Sequence, residues 1–421
     1  MRILFLAHNH PALQPGGSGA FALALFRCLR DRHGADGLFL AGVTDALRER
    51  RPGTMVQAVD GGAADELLVS LTHFDRFYLS QQDVFGLAAL APLVARLRPE
   101  VVHLHHPLLF GLEAIDMLRR AAPRGARLLA TLHDYFALCP REGQLLATDG
   151  TRCATGPSVH ACRRCFPARP GTDFALRELA VRDAFRTFDT LIAPSRFLRD
   201  RFVAAGWDPA RIVVLPNGVP AATPAPHRAL PAGSTRRDRF AVFGNVNRWK
   251  GTLVALGASA RLSAAGVPHR LGVHGGTAWQ SEAFLAEFAA ALAGAPDAAH
   301  YGPYGAADHA SRMAEADWVV VPSLWFENAP LVILEAFRHR RPVICSGIGG
   351  MAELVTDGVD GLHAPPGDPA GLAAVLRRAA EEAGLWERLV AGIRPPPDMD
   401  ETALRHLALY RGAPAAAPLA A

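Results

Sequence analysis

The stretch DWVVVPSLWFENAPLVILEAFRHRR, residues Asp317–Arg341, indicates the fold more clearly than any other part of the chain. An apolar strand over Val319–Val321 ends in a loop that holds Glu327, and an apolar helix follows with Glu335 inside it. In open α/β sheets, ligands bind at the carboxyl ends of the strands, where helix N-termini offer free N–H groups to phosphates. The stretch therefore predicts a carboxylate at a ligand-binding strand end, although the spacing alone also fits two solvated glutamates.

The length and composition of the chain fit a soluble globular protein of two domains. Its 421 residues are 50% apolar and 20% charged, with a net charge of +4. Because that excess is small and the arginines are scattered, we expect no nucleic-acid partner, whereas peripheral association with an anionic membrane stays open. The opening MRILFLAHNHP predicts a buried strand rather than a signal peptide. We therefore expect a cytoplasmic protein, with the inner face of the membrane as an alternative position.

Short apolar runs alternate with helical segments along the chain, which predicts parallel sheets covered by helices on both faces. The predicted strands are Ile3–Ala7, Leu38–Val43, Val101–His105, Leu128–Leu132, Leu191–Pro194, Ile212–Leu215, Phe240–Phe243, Arg270–His274, Trp318–Val321, Pro342–Cys345 and Gly361–His363. The predicted helices include Ala20–Leu29, Ser195–Ala205, Gly251–Ala264, Ala283–Leu292, Leu331–His339 and Pro369–Ala383.

Glu327 and Glu335, with seven residues between them, resemble the E-x7-E motif of retaining GT-B glycosyltransferases, in particular those of glycosyltransferase family 4. The resemblance covers nearly the whole chain through several motifs in the family's order. It implies an α/β protein of GT-B fold, in which two Rossmann-like, doubly wound parallel-sheet domains face a cleft. It also implies that Glu327 meets the donor sugar and that Glu335 holds the ribose hydroxyls of a nucleotide-sugar donor.

The alternation and the resemblance together predict the domain organisation. We expect an acceptor-side domain over residues 1–218 with a cysteine-rich insertion at about 139–167, a linker over 219–238, a nucleotide-sugar-binding domain over 239–395, a helix over 396–411 that packs back on the first domain, and a disordered tail over 412–421.

The loop after the strand Phe240–Phe243 resembles the family's diphosphate-binding loop. Gly244 ends the strand, and Lys250 matches the family lysine that contacts the donor diphosphate. The position after Gly244 is commonly arginine in the family but is Asn245 here, which removes one charge. Arg248 lies close by and is a candidate to replace that charge, while the alternative for Lys250 is a solvated loop lysine.

Three other stretches of the sequence resemble family motifs and supply further candidate site residues. Backbone N–H groups at the start of the helix after Glu327 would help to bind the diphosphate, and the residues there are Asn328, Ala329, Pro330 and Leu331. Gly16 and Gly17 resemble the family's N-terminal Gly-Gly loop, although a flexible turn is the alternative. His133, in Thr131–Tyr135, matches the family's T-x-H-D pattern, in which the histidine approaches the donor sugar. The alternative for His133 is a hydrogen-bonded core histidine.

Two stretches contain residues that bind metals in other proteins. Four cysteines follow the T-x-H-D motif with the spacing C-x13-C-x8-C-x2-C, namely Cys139, Cys153, Cys162 and Cys165. In a cytosolic chain this pattern favours a structural zinc site, with free thiols or a redox pair as the alternatives. The second stretch, Asp398–Asp400, follows three prolines instead of a strand, so we expect Asp400 to cap the last helix.

We therefore expect a retaining glycosyltransferase with Lys250, Glu327 and His133 as its catalytic residues. No catalytic divalent metal is expected, because cationic side chains and a helix dipole would face the phosphates. The acceptor would be a saccharide, a lipid-linked sugar or a small molecule, in surface polysaccharide or glycoconjugate synthesis. A different GT-B enzyme, such as a nucleotide-sugar 2-epimerase, and a catalytically silent sugar-nucleotide-binding partner are the alternatives.

Overall fold

The computed structural model of the protein describes residues 1–153 and 156–413, and these fall into two compact units. Unit 1 comprises residues 1–220 and the chain from Pro397 onward, and unit 2 comprises Ala221–Pro396. Of the tail expected over 412–421, the residues from 414 on lie outside the described part of the chain. Within that described part, no helix is both long and apolar enough to span a bilayer.

Unit 1 is built on an eight-stranded sheet and a separate two-stranded hairpin. Its strands are β1 (Arg2–Ala7), β2 (Asp36–Val43), β3 (Val56–Ala58), β4 (Glu66–Ser70), β5 (Phe74–Asp75), β6 (Ser80–Gln81), β7 (Val101–Leu104), β8 (Arg127–Thr131), β9 (Thr190–Ala193) and β10 (Ile212–Val214). The order across the large sheet is β10-β9-β8-β7-β1-β2-β4-β3, and every pairing is parallel except that of β3 with β4. The connection order reverses between β1 and β7, which is where open α/β sheets form a ligand crevice.

The helices of unit 1 connect these strands and cover the sheet. They are α1 (Gly17–His33), α2 (Val84–Ala88), α3 (Ala91–Leu97), α4 (Leu112–Ala121), α5 (Val159–Cys165), α6 (Gly171–Phe185) and α7 (Arg196–Ala204), with a 3-10 turn at Pro209–Arg211. The central strands are apolar and buried along most of their length, as parallel strands between two helical layers must be.

Unit 2 contains a six-stranded, entirely parallel sheet. Its strands are β11 (Arg239–Phe243), β12 (Arg270–His274), β13 (Ala298–His300), β14 (Trp318–Val321), β15 (Val343–Ser346) and β16 (Gly361–Ala364), in the order β13-β12-β11-β14-β15-β16. Its helices are α8 (Thr252–Ala264), α9 (Glu282–Ala293), α10 (Ala306–Ala314), α11 (Leu331–Arg338), α12 (Gly349–Leu354), α13 (Pro369–Glu381) and α14 (Leu385–Gly392). This strand order is that of dinucleotide-binding sheets, with the reversal between β11 and β14.

The last helix, α15 (Met399–Tyr410), belongs to unit 1 and packs against α1. Its cap differs from the prediction, because the N-terminal cap is Asp398, whose side chain accepts a hydrogen bond from the Glu401 N–H at 2.8 Å. Asp400 lies in the first turn instead, where a negative charge suits the helix dipole. Asp398 takes the cap position because its backbone is extended, so its side chain can reach the free N–H three residues further on.

The segment expected to be a linker is part of unit 2 from Ala221 onward. Arg228 donates to the buried carboxylate of Asp317 at 2.6 Å. The guanidinium of Arg341, which is fully buried, donates to the carbonyl oxygens of Ala225 and Pro226. These bonds fix the segment on unit 2, although its Pro- and Ala-rich composition has no periodicity that would indicate packing.

Candidate active site

Lys250 and Glu327 lie in the two loops that flank the reversal point of the unit 2 sheet. The loop with Lys250 follows β11, and the loop with Glu327 follows β14, its neighbour in the sheet. The Nζ atom of Lys250 lies 2.7 Å from Oε1 of Glu327. The structure therefore brings together two of the three residues that the sequence predicts to be catalytic.

The Glu327 carboxylate is only 5% exposed, and it is held by three donors. Besides Lys250, the hydroxyl of Ser323 donates to Oε1 at 2.8 Å and the indole Nε1 of Trp325 donates at 2.9 Å. A buried carboxylate needs such partners, because burial of an unpaired charge is very costly. The three bonds fix both the carboxylate and the lysine ammonium, whose three N–H donors are not all used by Glu327.

Two close backbone approaches hold these loops in place. Gly251 has a positive φ of 72°, and a Cβ atom there would lie 1.9 Å from the carbonyl oxygen of Pro322. A Cβ atom on Gly350 would lie 1.5 Å from the carbonyl oxygen of Asn328. The Gly350 N–H also donates to the Glu327 carbonyl at 2.7 Å. Only glycine fits at either position, so the Lys250 loop and the Gly349–Gly350 turn both support the chain around Glu327.

Glu335 has a different set of neighbours from Glu327. Its Oε2 lies 3.4 Å from Nε2 of His309 in α10, and the ring of His309 stacks on Tyr304 with 5.8 Å between the ring centroids. Burial, followed by the charge of Glu335, raises the pKa of the Tyr304 phenol. The second glutamate of the motif therefore lies beside two ring side chains that the sequence analysis did not single out.

The other predicted donor-binding residues of unit 2 differ in burial and in their contacts. Gly244 has a φ of 111°, which favours glycine, while Asn245 beside it is exposed. Arg248 forms an ion pair with Glu287, so its guanidinium is not in the Glu327 cluster. At the start of α11, Pro330 occupies the N-cap position without a side-chain cap, after the buried Asn328 and the half-buried Ala329. The N–H groups from Leu331 onward begin the helix, where the first turn has no intrahelical acceptors.

In unit 1, the half-buried His133 belongs to a group of mostly buried histidines at the carboxyl ends of the central strands. Nε2 of His133 lies 3.0 Å from Nδ1 of His105, and Nε2 of His105 is a buried atom without a hydrogen-bond partner among the described residues. His103 is bonded to the Tyr410 hydroxyl at 2.7 Å and to the Thr131 hydroxyl at 2.8 Å. Burial lowers the pKa of His133 to about 3, so the ring is neutral at physiological pH.

His106 and Asp134 form the polar end of this group. Nδ1 of His106 accepts a hydrogen bond from the Leu108 N–H at 2.9 Å, so its proton is on Nε2, which donates to Asp134 at 2.8 Å. Burial alone would raise the pKa of the Asp134 carboxyl, but His106 and the N–H of Phe136 lower it overall. Asp134 is therefore a charged, fixed acceptor directly after His133.

We expect the free energy of unfolding to fall steeply as the pH drops below about 6.5, the ordinary pKa of histidine. Burial lowers the pKa of six histidines in unit 1, which are His8, His10, His103, His105, His133 and His406. Between pH 6.5 and the lowered folded-state values, only the unfolded chain binds these protons. Each such histidine then removes about 1.4 kcal/mol of stability per pH unit. Denaturant unfolding between about pH 8 and about pH 5 measures this slope.

Two variants test the origin of the slope. His103→Gln removes one buried imidazole and should reduce the slope by about 1.4 kcal/mol per pH unit, which corresponds to one proton. His160→Gln changes an exposed histidine and should leave the slope as it is in the unmodified chain. The same slope in all three proteins would contradict the assignment of the acid sensitivity to the buried group.

The N-terminal glycines lie where β1 leads into α1. Gly16 is the N-cap residue of α1 with an extended backbone, and Gly17 is the first residue of the helix. The closest approach belongs to Gly19, where a Cβ atom would lie 2.4 Å from Oδ1 of Asn9. The steric demand for glycine is therefore at Gly19, two residues beyond the predicted pair.

The four cysteines of the insertion lie in one region of unit 1 and are all free thiols. The thiol of Cys162 is in electrostatic range of Cys139, Cys153 and Cys165. No three of these sulfur atoms lie within 4.8 Å of one another. In the described part of the chain, the one set of three potential metal ligands within that distance is Cys28, His33 and Asp400.

Trp325 and His309 are members of the site that were not predicted from the sequence. Trp325 lies inside the quoted stretch, and its spacing of two residues from Glu327 was a usable signal. His309 is in a separate helix, so only the packing of α10 beside α11 shows its relation to Glu335.

Both halves of the chain match models of glycosyltransferase families. Residues 15–223 match the model described as Glycosyltransferase Family 4, and residues 237–382 match the model described as Glycosyl transferases group 1. The D-inositol 3-phosphate glycosyltransferase of Geodermatophilus obscurus is 28% identical over 88% of this chain and 80% of its own length.

Solved structures with the same fold include other glycosyltransferases. The HepE protein of Anabaena in complex with UDP and glucose aligns with a TM-score of 0.68 and 18% identity, over 98% of this chain and all of the other. Sucrose-phosphate synthase from Thermosynechococcus elongatus aligns with a TM-score of 0.66 and 18% identity, over 98% of both chains. This chain is thus a glycosyltransferase of the GT-B fold and belongs to the family 4, group 1 type glycosyltransferases.

Proposed function

We propose that the protein is a retaining transferase that moves a sugar from a nucleoside diphosphate sugar to a hydroxyl group of a saccharide or glycoconjugate acceptor. The observation that carries the proposal is the ion pair of Lys250 with the buried Glu327 at the reversal point of the unit 2 sheet. HepE, which has the same fold, was crystallised with UDP and glucose, so a uridine nucleotide is the first donor base to test.

Each charged residue of the unit 2 site has a role in this proposal. The Glu327 carboxylate fixes the Lys250 ammonium, and the remaining N–H donors of Lys250 bind the donor diphosphate. The N-terminus of α11 adds the positive end of a helix dipole. Glu335, oriented by His309, accepts hydrogen bonds from the ribose hydroxyls. His133 of unit 1, which is neutral because burial lowers its pKa to about 3, stays the predicted catalytic residue of that unit.

The reaction breaks the bond between the sugar C1 and the diphosphate oxygen and forms a bond from C1 to the acceptor oxygen on the same face. The acceptor proton goes to the departing phosphate oxygen, so the donor itself acts as the base. Lys250 stabilises the negative charge that develops on the leaving diphosphate, and such electrostatic stabilisation is often the largest single contribution to catalysis. Transfer in the presence of a chelator would support charge neutralisation by the protein alone.

Thermal unfolding with UDP, GDP, ADP and their sugar conjugates tests the donor site. A nucleotide at about one hundred times its Kd adds about 2.7 kcal/mol of stability. We expect one base to give this shift and Glu335→Gln to remove it, because the ribose loses its charged acceptor. Glu387→Gln, which changes an exposed carboxylate on α14, should retain the shift. No shift with any nucleotide would contradict the proposal.

Product analysis then separates the proposed reaction from the alternatives. Free nucleoside diphosphate that forms only with an acceptor, and a product with the anomeric configuration of the donor, are expected for a retaining transferase. Conversion of the donor, without an acceptor, into a product epimerised at C2 of the sugar would indicate an epimerase. Binding without turnover on an acceptor panel would indicate a silent partner, and an inverted product would overturn the retaining assignment.

A further inference from the structure

The segment between β8 and β9, which includes the cysteine-rich insertion and α6, contains a buried cation without a carboxylate partner. Arg177 in α6 is 3% exposed. Its guanidinium donates to four backbone carbonyl oxygens, those of Phe77, Phe136, Ala137 and Leu138. No carboxylate in residues 1–153 and 156–413 is ion-paired with it. Burial lowers the pKa of Arg177 to about 10, whereas negative charge on Cys139 or Cys162 would raise it.

Two thiols of the insertion, those of Cys139 and Cys162, are in electrostatic range of this cation. Leu145 joins the first two cysteines, because its N–H is directed at the sulfur of Cys139 and its carbonyl accepts from the Cys153 N–H at 2.8 Å. Cys162 and Cys165 lie three residues apart in α5, so they share one face of that helix. Arg177 and Cys162 both line a small cavity of about 60 Å³.

We propose that Cys139, Cys153, Cys162 and Cys165 bind one structural zinc ion as thiolates. Four thiolates around Zn²⁺ carry a net charge of −2, and this charge offsets that of Arg177. A buried cation needs such compensation, since the cost of an unpaired buried charge is several kcal/mol. The zinc would also crosslink the cysteine-rich insertion, which is long and has little regular structure of its own.

Zinc binding requires the four sulfur atoms to lie closer together than they do in the structure, where no three of them are within 4.8 Å of one another. A tetrahedral zinc has Zn–S distances of about 2.3 Å, which is tighter than the present spacing of the sulfur atoms. Zinc binds thiolates, so each of the four thiols must lose its proton when the metal binds. Zn²⁺ replaces these protons, and its apparent affinity should therefore increase with pH.

The full chain, purified without chelators and without a nickel column, should contain one zinc ion per chain by elemental analysis. After replacement of zinc by Co²⁺, the absorption spectrum should show thiolate-to-metal charge-transfer bands in the near ultraviolet. Chelation of zinc should lower the Tm and expose the four thiols to a thiol reagent. A zinc content near zero with free thiols would overturn the proposal, and a native mass lower by two hydrogens would indicate a redox pair instead.

Matched cysteine variants locate the metal. Cys162→Ser should lose the zinc, whereas Cys28→Ser should keep it. Cys28 is a stringent control, because its sulfur already lies within 4.8 Å of potential ligand atoms of His33 and Asp400. Arg32 lies 3.7 Å from Asp400, however, and would compete with a metal cation at that position. Zinc retained in Cys162→Ser and lost in Cys28→Ser would place the metal at that second set and overturn the proposal. If Cys162→Ser does not fold, the chelation and cobalt measurements on the unmodified chain decide.

Discussion

Replacing Lys250 by methionine should reduce the rate of sugar transfer by about 100- to 1000-fold, with a smaller effect on folding. Methionine keeps much of the length and the apolar stem of lysine but removes the ammonium that lies 2.7 Å from Glu327. Loss of one donor aimed at developing negative charge costs about that factor in other enzymes. Steady-state measurement of kcat and KM on the identified donor and acceptor checks the prediction.

Arg248→Met provides the matched control, because Arg248 is a cation in the same loop that forms its ion pair with Glu287 instead. We expect this variant to keep kcat within a few-fold of the unmodified enzyme. Equal losses in the two variants would mean that net positive charge of the loop, and not the position of Lys250, sustains transfer.

A cycle of variants at Lys250 and Glu327 tests whether the two side chains act as one unit. Glu327→Gln keeps a hydrogen-bond acceptor for Ser323 and Trp325 but removes the charge that fixes the lysine. The loss in the double variant should be much smaller than the product of the two single losses, since coupled residues are not additive. Strict additivity would show that the observed ion pair has no role in the reaction.

Gly350→Ala should remove most of the activity, although it adds only a methyl group. The new Cβ atom would lie 1.5 Å from the carbonyl oxygen of Asn328, so the backbone on one side must move. A displacement of about 1 Å near reacting groups can cost about 100-fold in rate. We expect a loss of that size in kcat, together with a loss of stability of about 1–3 kcal/mol. Kinetics and thermal unfolding of the purified variant measure both.

Gly294→Ala is the appropriate comparison for this variant. Gly294 follows α9 in unit 2 with a right-handed helical backbone, and the nearest atom to its Cβ would be 3.5 Å away. The kinetics of this variant should match those of the unmodified chain. If Gly350→Ala were as active as Gly294→Ala, the contact between the Gly349–Gly350 turn and the Glu327 loop would be dispensable.

The central strands could be predicted from sequence because burial between two helical layers requires continuous apolar runs. Arg270–His274 and Trp318–Val321 agree with the prediction residue for residue. The short strand Glu66–Ser70 was missed because it begins with a carboxylate, which usually indicates a solvated position. Glu66 is fully buried, and Arg27 of α1 neutralises it through two hydrogen bonds of 2.7 Å. Such a partner is visible only in three dimensions.

The residues of the candidate site could largely be predicted from the sequence, but the contacts between them could not. The sequence indicates Lys250 and Glu327 separately, because each follows an apolar strand. Their contact depends on β11 and β14 being neighbours, which no local pattern specifies. The pairing of Glu335 with His309 likewise depends on how α10 packs. His133 differs again, because its match to a family pattern is local while its lowered pKa arises from burial among distant histidines.

The position of α15 in unit 1 determines the order in which the two units can be completed during synthesis. Unit 2 ends at Pro396, so all of its residues are synthesised before α15. Unit 1 lacks α15 at that moment, and with it the Tyr410 hydroxyl that binds His103 in the centre of the sheet. Chains fold as their segments emerge. Folding of unit 1 therefore cannot be completed until the last helix has been made. A translation product that ends before α15 would contain all of unit 2 but an incomplete unit 1.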